Sequence, residues 1–110
     1  MKQYVIDELR PADYKKIKAY MDTSFGEDNL EGIYWIPLDE DQLAPIQASH
    51  DGCRPFFFAV QLDDDRIACE LLVRTRNRVR CDCIRYATQH QRNWLIEMFD
   101  AIFDELEIIT

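Results

Sequence analysis

Residues 88–106 read TQHQRNWLIEMFDAIFDEL, and this stretch decides the fold. Thr88 and Gln91 have the spacing of a capping box, in which each side chain satisfies a backbone amide left over by the first helical turn. Behind them Leu95, Met98, Phe99, Ile102 and Leu106 recur at intervals of three and four, the period of one helical face. Trp94 and Phe103 widen that face beyond a narrow seam. A helix with so broad an apolar stripe has to bury it against another element.

The segment before it supplies that element. Phe56 to Leu62 is rich in strand formers, and the acidic run Asp63 to Asp65 is too charged and turn-prone to continue it. Ile67 to Val73 reads as a second strand, Arg76-Asn77-Arg78 as a turn, and Val79 to Tyr86 as a third strand. Short connections make these three an antiparallel meander. Further upstream, residues 4–9 and 32–38 are short strand candidates, with Pro37 pushing the latter to an edge. Arg10-Pro11-Ala12-Asp13 opens a helix whose apolar stripe is Tyr14, Ile17, Met21 and Phe25, and Gly26 is the expected left-handed stop. Asp39 and Gln42 have capping-box spacing, but Pro45 is expected to limit residues 40–49 to a turn or two. The expected fold is one α+β domain over residues 1–110. In it a three-stranded antiparallel meander, with up to two further strands, forms one layer. An N-terminal helix and a long C-terminal helix form the other.

Composition bounds the function. A hydrophobic fraction of 47% over 110 residues supports a self-sufficient core. The net charge of −8 argues against nucleic acid and anionic membranes as partners. No apolar run approaches the ~18 residues of a membrane span. The opening MKQYVIDELR lacks the basic-then-apolar pattern of a secretory leader, so the cytoplasm is the expected compartment, with its cysteines reduced.

Two sets of residues bear chemistry. On an extended strand Cys81 and Cys83 share a face, and a hairpin turning about Asn77 brings Cys69 to the same side. Three thiols there, with Cys53 or His50 as a further ligand, make a thiolate metal site conceivable. Against it, two ligands two residues apart on a strand are not the usual structural-zinc knuckle, and free cysteine is most often a small buried hydrophobe. The second set is basic. Every lysine lies before residue 19, whereas every arginine except Arg10 lies between 54 and 92. Arg74, Arg76, Arg78 and Arg80 alternate around the expected hairpin, and their planar forks suit an anionic ligand. A charged hairpin tip that resists edge-to-edge aggregation accounts for them equally.

The order from Tyr4 to Met21, a strand, an Arg-Pro-x-Asp helix start and an amphipathic helix, followed later by a meander and a helix, resembles the start of the GNAT acetyltransferases. That resemblance implies a Gly-rich turn between the last meander strand and the next helix, binding the pyrophosphate of acetyl-CoA. Residues 86–92 (Tyr-Ala-Thr-Gln-His-Gln-Arg) hold no glycine there, so the likeness is one of element order and no cofactor is expected. No catalytic motif is recognisable around His50 or His90. The leading expectation is therefore a non-catalytic interaction or regulatory module, pairing as a homodimer or docking a protein through Trp94, Met98 and Phe103. The alternatives are a binding protein or enzyme for an anionic small molecule at the arginine hairpin, and a thiolate metal-binding domain.

Overall fold

A computed structural model describes residues 2–26, 32–77 and 80–109. Strand β1 (Gln3–Ile6) leads into helix α1 (Pro11–Phe25). Strand β2 (Ile33–Pro37) is followed by a 3-10 turn (Glu40–Gln42), the single-turn helix α2 (Pro45–Ala48) and a second 3-10 turn (Asp51–Cys53). Strands β3 (Phe56–Leu62), β4 (Ile67–Glu70), β5 (Leu72–Thr75) and β6 (Arg85–Tyr86) then precede the closing helix α3 (Gln89–Glu105). The expected class holds: this is an α+β domain with an antiparallel sheet, an N-terminal helix and a long C-terminal helix.

The apolar strand β3 is the axis of the sheet. On one side it pairs with β2, from Ile33↔Gln61 to Pro37↔Phe57, and on the other with both β4 and β5. β4 and β5 are one extended run interrupted at Leu71. Val60 pairs with Cys69 and Phe57 with Arg74, so three steps along β3 face five steps opposite, a bulge of two residues. Leu71 is also where the outer neighbours change over. Its N–H donates to the Lys2 carbonyl (3.0 Å), and its own carbonyl accepts from the Ala87 N–H (2.7 Å). Beyond it, β1 pairs with β4, and β6 with β5.

The expected meander keeps its order, β3, the β4–β5 run and β6, with β2 added on the other side of β3, but the third strand expected at Val79–Tyr86 shrinks to Arg85–Tyr86. Pairing of Leu72 with Tyr86 makes the connection run from 76 to 84 instead of through a three-residue turn. Within 79–84 the strand formers Val79 and Ile84 flank Arg80, Cys81, Asp82 and Cys83, too few to hold a ladder. Arg78 and Val79 lie outside the described residues.

One face of the sheet carries Tyr34, Ile36, Phe56, Phe58, Val60, Ile67 and Val73, and both long helices bury their stripes in the same cluster. From α1 come Ile17 and Met21, and from α3 Leu95, Phe99, Ile102 and Phe103. Trp94 stacks on Phe58, with ring centroids 6.3 Å apart and planes 21° off parallel. The Lys16 ammonium donates to the Leu106 carbonyl (3.2 Å), tying the two helices together. The capping box forms as expected. The Gln91 N–H donates to Thr88 Oγ1, and the Thr88 N–H to Gln91 Oε1, each at 3.1 Å.

Three local expectations are corrected. Gly26 closes α1 with φ −81°, a right-handed cap in place of the expected left-handed one. Pro45 opens α2 at its first position, where the missing N–H costs nothing, instead of interrupting a helix. Asp39 caps nothing through its side chain; the amide oxygen of Gln47 reaches back to the Ala44 N–H (2.9 Å). A glycine is required at position 32, which leads into β2. Its φ is +80°, and an added Cβ would stand 2.9 Å from the Leu62 carbonyl oxygen. Gly32→Ala is expected to cost about 1–2 kcal/mol in urea unfolding, because an L side chain strains at positive φ; an unchanged midpoint would contradict that placement.

Candidate metal centre

Cys53 closes the 3-10 turn that follows His50, and its chain then enters β3. Cys81 and Cys83 lie in the turn that leads to β6, where the Ile84 N–H donates to the Cys81 carbonyl (3.0 Å). The three Sγ atoms lie within 4.8 Å of one another, and the Cys53 and Cys81 sulfurs are 3.9 Å apart. Thiolates on a tetrahedral zinc, each at about 2.3 Å, stand about 3.8 Å apart. Cys53 and Cys83 are buried and Cys81 is half-buried, so the cluster lies just under the surface with one sulfur toward solvent.

Polar side chains, Thr75, Gln47 and Gln91 buried among them, hold both ligand segments by their backbones. The Thr75 hydroxyl, on β5, donates to the Cys53 carbonyl and accepts the Asn77 N–H (3.2 Å), while Asn77 Nδ2 donates to the Arg54 carbonyl (2.8 Å). The Cys83 carbonyl accepts from Gln47 Nε2 (3.4 Å). Gln47 Oε1 in turn accepts from Gln91 Nε2 (2.8 Å), which also donates to the Gln42 carbonyl (2.9 Å). Gln47 and Gln91 are each 1% exposed, so these bonds sit where water does not compete. Gln91→Leu is expected to lower stability by about 3 kcal/mol, since it leaves the Gln42 carbonyl and Gln47 Oε1 short of a donor and removes half of the cap. Denaturant unfolding checks this, and a loss under about 1 kcal/mol would contradict the network.

The thiols are electrostatically unequal. Burial pushes the Cys83 thiol up to about 12. The thiol and backbone amide of Cys83, with smaller help from Cys53 and His50, hold Cys81 below the ordinary thiol range. In metal-free protein at neutral pH, iodoacetamide is expected to alkylate Cys81 first and Cys69 and Cys83 last, as read by peptide mass spectrometry. Equal rates at all positions would contradict this ordering.

Cys69, expected among the clustered thiols, is not one of them. It lies on β4 between Tyr4 and Val60, 1% exposed, and burial raises its thiol far above the ordinary value. The hairpin does not turn about Asn77, so the strand parity that united Cys69 with Cys81 and Cys83 never arises. Cys53 takes that place.

The arginines are engaged differently from one another. Arg74 pairs with Glu70 (3.2 Å) on the sheet face opposite the helices. Arg76 lies over the rings of Trp35 and Phe57, 5.2 and 6.0 Å from their centroids. Arg80 is exposed in the turn, and Arg78 lies outside the described residues. Of the stripe on α3, Phe103 is 5% exposed, and Trp94 and Met98 pack against the core. Of the four cysteines the sequence singled out, the structure brings three together, Cys53, Cys81 and Cys83; Thr75 and Gln47 carried no recognisable signal, and Gln91 was legible only as a cap.

Compared with protein-family models, curated proteins and solved structures, the chain matches none. Among the described residues, no helix is long and apolar enough to cross a membrane.

Proposed function

We propose that this chain is a small metal-binding module in which Cys53, Cys81 and Cys83 hold one soft, zinc-like cation. The carrying observation is the approach of three sulfurs, from segments almost thirty positions apart, to within 4.8 Å. Sulfur donors at this spacing select zinc or a similar thiophilic ion over magnesium or calcium, which take oxygen. The reading is further supported by the bonds from Thr75 and Gln47, which fix the ligand backbones independently of any ion.

The test is cobalt titration of reduced, chelator-stripped protein without oxygen. One equivalent is expected to bind, with thiolate-to-cobalt charge transfer in the ultraviolet and tetrahedral bands in the visible. Absence of those bands, together with less than about a tenth of an equivalent of zinc in protein as purified, would end the proposal.

This reading ranks ahead of self-association because Trp94, Met98 and Phe103, which motivated that expectation, pack into or against the chain's own core. It ranks ahead of anion binding because Arg74 is paired with Glu70 and Arg76 is stacked on aromatic rings. A monomer mass by light scattering and no thermal shift with phosphate or nucleotides are the corresponding expected results.

A further inference from the structure

We infer that His50 supplies the fourth ligand, through Nε2, so that the centre is a closed Cys3His site and its role is structural. This rests on the thiolate reading above and adds to it the identity of the remaining donor. Three features carry it.

First, the Cys53 N–H donates to the His50 carbonyl (3.0 Å), an i to i+3 bond. That bond closes residues 50–53 into one turn, with His50 as its cap at φ −101°, ψ 70°, so the two residues stand at the ends of a single short loop. The spacing His50-x-x-Cys53 is that of a ligand knuckle, and Cys81-x-Cys83 brings up the opposite side.

Second, His50 Nδ1 lies 2.5 Å from the Ile46 carbonyl oxygen, with the Ser49 hydroxyl 3.3 Å away. A carbonyl only accepts, so Nδ1 carries the proton and the neutral ring keeps its lone pair on Nε2. A backbone carbonyl on the non-ligating nitrogen is the usual partner of a metal-bound histidine.

Third, the imidazole is half-buried. It stands outside the 4.8 Å triad, so capture of the ion requires the ring to turn toward the sulfurs about its Nδ1 bond to Ile46. A fourth protein ligand leaves no position for water or substrate, which separates a structural zinc from a catalytic one.

The experiment is zinc-edge X-ray absorption and zinc competition titration on the full chain, wild type against His50→Ala, with His90→Ala as control. His90 is exposed at the start of α3 and takes no part in the site. The wild type is expected to show three sulfurs at about 2.3 Å and one imidazole nitrogen at about 2.0–2.1 Å. His50→Ala is expected to lose the imidazole scattering and at least about tenfold in zinc affinity, the lower bound typical even of an outer-sphere partner. His90→Ala should match wild type. Three sulfurs with no imidazole in the wild type, or His50→Ala binding as tightly as wild type, overturns the assignment of His50 and leaves the thiolate site standing. No zinc uptake by the wild type overturns the thiolate reading itself. Should His50→Ala fail to fold, the wild-type spectrum decides alone.

Discussion

Replacement of Cys83 by serine is expected to abolish zinc uptake and, with it, any gain in thermal stability on adding zinc. A ligand that binds only the folded state adds about 2.7 kcal/mol at a free concentration one hundred times its Kd. For a domain of this length that is about 10 °C in Tm. Cys83 is fully buried, so a hydroxyl there also costs the metal-free protein about 1–2 kcal/mol. Cys81→Ser separates the two effects, because Cys81 is only half-buried. It should keep the metal-free Tm of wild type and still lose the zinc response. Calorimetry with and without zinc reads both. A Cys83→Ser protein stabilised by zinc as much as wild type would contradict the site.

The largest effect on the fold itself is expected from Phe58→Ala. Phe58 lies in the middle of the central strand, is wholly buried, and meets Trp94 of the closing helix in a stacked pair. Truncating a core phenylalanine removes its transfer free energy and leaves a cavity, about 3–5 kcal/mol together. Domains of this size hold about 5–15 kcal/mol in total, so the variant should be marginal. In urea the midpoint should fall with little change in slope. A loss under about 1.5 kcal/mol would mean that α3 does not close over β3 as described.

What was legible in the chain follows the range of the interactions. The cap of Thr88 and Gln91 and the repeat from Leu95 to Leu106 act within a few residues, and both could be read directly. The start of α1 at Pro11 and the strand Phe56–Leu62 are local in the same sense. The interruption at Leu71 is not: it exists because Lys2 and Ala87 bond there, and nothing beside Leu71 in the chain announces them. The register that follows from it decides whether Val79–Tyr86 is a strand or a turn, and so which thiols meet. Cys81 and Cys83 were legible as a pair and Cys53 as a further thiol, whereas Cys69, expected beside them, lies elsewhere. Pro45 was ambiguous for another reason: a proline is as good at opening a helix as at breaking one. Gln47 and Thr75 pass for surface polar residues until their partners, the carbonyls of Cys83 and Cys53, arrive from distant segments.

The same distinction explains how the three sulfurs converge. They are brought together by the β5–β6 register and by bonds from β5 and α2, on a core in which Cys53 and Cys83 are themselves packed. Removal of metal is therefore expected to lower stability without unfolding the chain, unlike small zinc domains whose binding energy is their folding energy.

The most direct measurement is cadmium-113 to proton correlation spectroscopy on the protein loaded with one equivalent of cadmium, which names each cysteine whose sulfur holds the ion. Correlations to the β-protons of Cys53, Cys81 and Cys83, with none to Cys69, are predicted. A correlation to Cys69, or the lack of one to Cys53, would contradict the convergence of the two segments on which the proposed metal centre depends.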